Sequence, residues 1–175
     1  MTVAPVTVAI ALGSNMADRY ELLRSARESI GLLDGVTILA TSQVEETPAF
    51  GPPQPAYLNQ MMLVNTTQSL AALLSDLQLI EREHGRSRAL SKGPRTLDLD
   101  IVWARHLTIT TRDLLVPHPG LGTREFWQRE LTELLGVDEA ADAVDTALVH
   151  AGMDTEHSAS APDGYRWSGS WETFS

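Results

Sequence analysis

Strand-like and helix-like segments follow one another in the order βαββαβ, which restricts the chain to one sheet crossed by helices. Val6 to Leu12 is an unbroken apolar run, ended by Gly13-Ser14-Asn15. From Asp18 to Leu33, a helical stripe holds Tyr20, Leu23, Ala26, Ile30 and Leu33, and Asp34-Gly35 closes it. Val36 to Glu46 reads as one long strand. Thr47 to Ala56 holds four prolines and a glycine, so it is a loop short of backbone donors. Tyr57 to Thr67 is strand-like, and Ser69 caps a helix carrying Leu70, Leu73, Leu74, Leu77 and Ile80. A strand follows from Thr96 to Trp103, then a short one at Leu107 to Ile109. Leu121 to Leu135 is helical in part, and Asp138 to His150 is a weaker, Ala-rich helix. The expectation is an α+β fold: a ferredoxin-like antiparallel sheet with its flanking helices mainly on one face.

At 175 residues a single domain is the default, expected over residues 1–150. The remainder, 151–175, is an acidic tail rich in Ser, Gly and aromatic residues. The chain has no cysteine, which excludes disulfides, thiolate metal sites and thiol nucleophiles. No window of about 18 uncharged apolar residues is available to span a membrane. The apolar start lacks the positive region of a signal peptide, so a cytoplasmic protein without membrane contacts is expected.

The net charge of -10 is unevenly spread. Residues 138–175 are strongly acidic, with Arg166 their lone base. The sign reverses at Arg82, Arg86, Arg88, Lys92 and Arg95, which face only Glu83. Gly85, Gly93 and Pro94 break this basic run, making it a loop. A small basic loop in an acidic chain suits a small polyanion and not a nucleic-acid surface.

Thr96-Leu97-Asp98-Leu99-Asp100-Ile101 gives the sharpest chemical signal. Strand alternation places Leu97, Leu99, Ile101 and Trp103 on one face. Asp98 and Asp100 share the other, roughly 7 Å apart along the strand. A solvated edge strand would show the same pattern. Beside arginines, however, paired carboxylates suit Mg²⁺ held against substrate phosphates, the requirement of phosphoryl transfer.

Five separated blocks resemble the 6-hydroxymethyl-7,8-dihydropterin pyrophosphokinase family over about residues 6–135. They are Ala11-Leu12-Gly13-Ser14-Asn15; Thr47-Pro48 with Gly51-Pro52, Gln54-Pro55 and Tyr57-Leu58-Asn59; and Glu81 with Gly85-Arg86-Ser87-Arg88. Gly93-Pro94-Arg95-Thr96-Leu97-Asp98-Leu99-Asp100 is the most specific, and Val116-Pro117-His118-Pro119 with Arg124 and Phe126 closes the series. The resemblance implies transfer of the β,γ-diphosphate of ATP to a pterin hydroxymethyl oxygen, with release of AMP, in folate biosynthesis. It implies that Asp98 and Asp100 hold two Mg²⁺ ions, with Arg86 and Arg95 completing the catalytic set. ATP would be met by Gln78, Glu81, Arg86, Arg88, Arg95, Ile101, His118 and Arg124. Arg88 falls in the loop that closes over ATP in this family. The pterin would be met by Thr47, Pro48, Phe50, Tyr57, Asn59 and Phe126, stacked between Tyr57 and Phe126. The partners implied are these two small molecules, acting on a monomer.

The chain departs from the family pattern at four places. Glu45 stands where Tyr is common, Phe50 where a smaller aliphatic is frequent, and Lys92 where an aromatic is frequent. Trp127-Gln128-Arg129-Glu130 replaces an apolar-and-proline run. Two alternatives of other classes fit the residues alone. A diverged, non-catalytic pterin- or nucleotide-binding paralogue would bind without forming AMP. An unrelated Asp-x-Asp transferase would give Thr47-Pro48 and Asn59 no role.

Overall fold

The computed structural model describes residues 2–16, 18–49, 53–85 and 97–158, with the side chains of 153–158 left aside. Phe50, Arg86, Arg88, Lys92, Arg95 and the basic loop therefore lie outside the described residues, as does the segment after residue 158.

The central strand is β1 (Val6–Ser14), whose apolar run is buried from Val8 onward. On one side β1 pairs antiparallel with β4 (Tyr57–Thr66), and on the other with β5 (Asp98–Ala104). The edge strand β2 (Val36–Thr41) pairs with β4, giving the order β2-β4-β1-β5. Residues 42–44 interrupt the expected Val36–Glu46 strand. Its far end returns as β3 (Glu45–Thr47), which also pairs with β4. A two-stranded ribbon of β6 (Ile109–Thr110) and β7 (Leu115–Val116) follows β5.

Helices α1 (Arg19–Gly31) and α2 (Leu70–Glu83) are the crossovers, capped by Asp18 and Ser69, whose side chains accept from the Glu21 and Ala72 N–H groups. Leu23, Ala26 and Ile30 of α1 and Leu70, Leu73, Leu77 and Ile80 of α2 pack on one sheet face, against Val8, Ile10, Leu12, Leu58, Met62 and Val64. Tyr20 does not join this stripe; it is exposed at the solvent end of α1. Gly35 takes φ 74° in the turn to β2, and a Cβ there would lie 2.4 Å from Thr67 Oγ1, so the position favours glycine twice over.

Helices do not keep to one face. A 3₁₀ turn (Pro119–Gly122), α3 (Glu125–Leu135) and α4 (Val137–Ser158) cover the other side. Leu121, Trp127, Leu131, Ala140, Ala143 and Ala147 build a second core there with Ala9, Ala11, Met61, Leu63 and Val102. The outcome is three layers, helix–sheet–helix. The small alanines of α4 let it lie close, and α4 runs without a break through residue 150.

Trp103 is a correction to simple alternation. The register shifts so that Ile10 faces Ile101 while Ala9 faces Trp103, leaving Val102 as an extra residue. This bulge turns Trp103 to the second core, away from Leu97, Leu99 and Ile101 in the first.

Candidate active site

Asp98 and Asp100 lie on the same face of β5, as alternation requires, but that face is not open to solvent. Asp98 is fully buried and Asp100 is 8% exposed. The 3₁₀ turn and α3 roof the face, and that roof brings two further polar residues beside the carboxylates. His118 Nε2 is 3.9 Å from Asp100 Oδ1. The buried Arg124 guanidinium feels the charges of both aspartates.

The electrostatic states follow from burial. Burial, and then the charge of Arg124, holds His118 well below the usual histidine range, so its ring is neutral at pH 7. Its Nδ1 accepts the Gly120 N–H at 2.9 Å, which leaves the ring proton on Nε2, towards Asp100. Burial pulls Arg124 down to about 9, against the opposing pull of Asp100 and Asp98. Its guanidinium is therefore charged at neutral pH. Both side chains are set against Trp127: the His118 ring meets the indole edge-on at 4.9 Å, and Arg124 Cζ lies 4.4 Å from the ring centroid.

The sheet register connects this centre to the expected pterin residues. Gly13 is the cross-strand partner of Asn59 on one side and of Asp98 on the other. Asn59, in turn, faces Glu45. Glu45, Asn59, Gly13 and Asp98 form one row on the α3 side of the sheet, and Tyr57 and Thr47 pair two residues along. Strands lie about 4.8 Å apart, so Asn59 and Asp98 are roughly 10 Å apart with only a glycine between them. Asn59 Nδ2 donates to Thr47 Oγ1 at 2.7 Å and more weakly to the Glu45 carbonyl at 3.5 Å. Its buried Oδ1 has no partner among the described residues. Tyr57 is buried, Phe126 is half-buried against the Trp127 edge at 6.2 Å between centroids, and Pro48 is exposed. Asn15 Nδ2 ties down the proline-rich loop through Gln54 Oε1 and the Pro55 carbonyl.

The remaining expected nucleotide residues are less uniform. Gln78 is half-buried on α2. Glu81 is buried, and its Oε1 accepts the Leu99 N–H at 2.8 Å. Ile101 commits its side chain to the α1/α2 core. Its backbone groups point outward, as those of Leu99 do, because β5 is an edge strand and this direction alternates. The sequence reading missed Trp127, Gly120 and Glu130. A Cβ on Gly120 would fall 1.8 Å from Arg124 Nη1, so the absent side chain leaves room for that guanidinium. Glu130 is buried in the α3 stripe between Trp127 and Leu131; an acid at an apolar position was the signal available for it.

Among the described residues no three His, Cys, Asp or Glu side chains converge as a metal cluster. The donors present are two neighbouring carboxylates, hard oxygen ligands of the kind Mg²⁺ takes when substrate phosphates and water complete its shell. The residues fit that ion.

A mixed α/β protein with buried paired carboxylates beside a guanidinium and a neutral imidazole belongs, by its chemistry, with phosphate-handling proteins. The particular family is clear from sequence comparison: the chain matches the model for 7,8-dihydro-6-hydroxymethylpterin-pyrophosphokinase over residues 9–136 and belongs to that family. It is similar to the 2-amino-4-hydroxy-6-hydroxymethyldihydropteridine pyrophosphokinase of Haemophilus influenzae, 38% identical over 69% of this chain and 76% of the relative. It is also similar to the protein of that name from Bacillus subtilis, 37% identical over 78% of this chain and 83% of the relative. The Pneumocystis carinii folic acid synthesis protein fol1 is 38% identical over 74% of this chain, which spans only 17% of that longer protein. The whole of α4 lies beyond the family match.

Proposed function

We propose that the protein transfers a diphosphate group from ATP to 6-hydroxymethyl-7,8-dihydropterin and releases AMP, as a step of folate biosynthesis. The pterin hydroxymethyl oxygen bonds to the β-phosphorus of ATP, the bond from that phosphorus to the α,β-bridging oxygen breaks, and the hydroxyl proton is lost. The observation that carries the reading is the row Asn59–Gly13–Asp98. It sets an amide that reads a heterocycle beside carboxylates suited to phosphate-bound cations, with only a buried glycine between.

The chain's own residues divide the work. Asn59 Oδ1 accepts from a pterin N–H, since Asn59 Nδ2 is already taken by Thr47. Phe126 and Tyr57 give the flat ring its apolar contacts, with Pro48 and Phe50 at the loop side. Arg124 and the His118 Nε2 proton bind phosphate oxygens, and the buried setting strengthens both interactions. Arg86, Arg88 and Arg95 add charge from the basic loop, and Gln78 and the open edge of Ile101 receive the nucleoside. Asp98 and Asp100 would hold two Mg²⁺ ions, which neutralise phosphate charge when bound.

Three finer points go with this reading. The order β2-β4-β1-β5 with α1 and α2 on one face supports a ferredoxin-like core, extended by a second helical layer. Residues 1–150 form the catalytic domain, acting as a monomer on small molecules. The reading takes the reaction to be cytoplasmic; among the described residues no helix is long and apolar enough to cross a membrane.

The test is to incubate the protein with ATP, Mg²⁺ and the reduced hydroxymethylpterin. AMP should appear in step with diphosphorylated pterin. Formation of ADP, or pterin binding with no AMP, would overturn the proposal.

A further inference from the structure

Arg124 and His118 reach the carboxylate centre from different places: one is the N-cap of α3 and the other precedes the 3₁₀ turn. What they share is Trp127. It is fully buried, one helical turn after Arg124, where residues three apart on a helix adjoin. The Arg124 guanidinium lies over its face at 4.4 Å, and the His118 ring stands perpendicular to it at 4.9 Å. Gly120 also borders the seat. A methyl group there would fall 1.8 Å from Arg124 Nη1 and 3.0 Å from His118 Nδ1, while the Gly120 N–H fixes that same Nδ1. A long, flexible guanidinium side chain is thus confined by both an indole face and a bare backbone.

We propose that Trp127 is a positioning residue: with Gly120 it sets Arg124 and His118 as one preformed oxyanion seat beside Asp100, for the phosphate chain of a nucleoside triphosphate. This deepens the reading above and rests on it for the identity of the ligand. The physical reason is that an arginine buried without such a wall must give up side-chain freedom on binding each phosphate, whereas a stacked one has already done so. The indole need touch no substrate to act.

The test uses the full chain and the variants Trp127→Phe, Trp127→Leu and Gly120→Ala. Kd values for Mg·ATP, inorganic tripolyphosphate and the pterin are read by calorimetry, with KM and kcat for AMP release beside them. Trp127→Leu should weaken ATP and tripolyphosphate together, by about tenfold, from loss of the cation–π contact and of preorganisation. Trp127→Phe should recover most of that loss, because it restores an aromatic face. Gly120→Ala should reproduce the loss while leaving the Trp127 packing intact. Pterin Kd should change less than twofold throughout. A merely structural Trp127 would lower stability and all three affinities alike, or spare them all; either result in folded Trp127→Leu or Gly120→Ala overturns the inference. If Trp127→Leu fails to fold, Gly120→Ala decides it on the same three Kd values. Should the unaltered protein bind ATP but form no AMP, the functional reading fails while these Kd values still judge Trp127.

Discussion

Glu81 Oε1 accepts the backbone N–H of Leu99, at 2.8 Å, between the two aspartates of β5. Among the described residues β5 is an edge strand, and no neighbouring strand there meets its outward N–H groups. A carboxylate reaching from α2 meets one of them and fixes the strand that bears Asp98 and Asp100. Glu81 therefore acts first as a positioning group for the centre.

Replacing Glu81 by Ala should leave a buried N–H unsatisfied and cost about 1–3 kcal/mol. Glu81→Gln keeps an acceptor oxygen and should cost less than half of that. Chemical denaturation of the two variants checks the order. If Ala and Gln are equally destabilising, the hydrogen bond is not what holds the strand edge.

Asp98→Asn and Asp100→Asn should each fold and melt no lower than the unaltered protein. Both carboxylates are buried and share a face, so losing one charge relieves repulsion and desolvation. AMP release should fall by at least a hundredfold at saturating Mg²⁺, since the phosphates lose a counter-charge in the transition state. Calorimetric titration with Mg²⁺ and a turnover assay would show it. Near-full turnover in either variant would remove that carboxylate from the mechanism.

Much of this centre was legible because its signals are local. The alternation of Leu97, Asp98, Leu99 and Asp100 predicts one polar and one apolar face, and both occur. Ser69 and the leucines after it predict α2. What stayed hidden depends on other layers. Nothing near Trp103 announces a bulge, because the extra residue is defined only against β1. Helical order alone does not say which face a helix covers, so the roof over Asp98 went unread. Glu45 and Arg129 look like unrelated departures from the family pattern; in space they form an ion pair between β3 and α3.

Phe126→Ala should weaken pterin binding by roughly 1–3 kcal/mol, the worth of lost stacking and apolar burial. Binding of ATP should be nearly unchanged, since Trp127, on which Arg124 and His118 lean, is kept. Paired calorimetric titrations test the assignment. A loss confined to ATP would place the pterin elsewhere.

Glu130 gives the protein a stability that falls as pH rises. Burial pushes its carboxyl up to about 9, and the charges of Glu45 and Glu133 add to the rise against the opposing pull of Arg129. Neither of its oxygens has a hydrogen-bond partner among the described residues. In the folded chain it is therefore protonated at pH 7. In the unfolded chain it ionises at the ordinary value of 4.5. Between those two values the unfolded state binds fewer protons, so stability declines steadily with pH. Below 4.5 both states are protonated and the penalty vanishes. Glu130→Gln supplies a neutral side chain of the same shape that cannot ionise in either state. It should match the unaltered protein near pH 5 and exceed it by a few kcal/mol near pH 8, an order of magnitude set by the size of the shift. Urea denaturation at pH 5, 6.5 and 8 would measure the widening gap. A gap that stays constant across this range would show that Glu130 is ionised in the folded protein, and that its charge is met by groups other than those named.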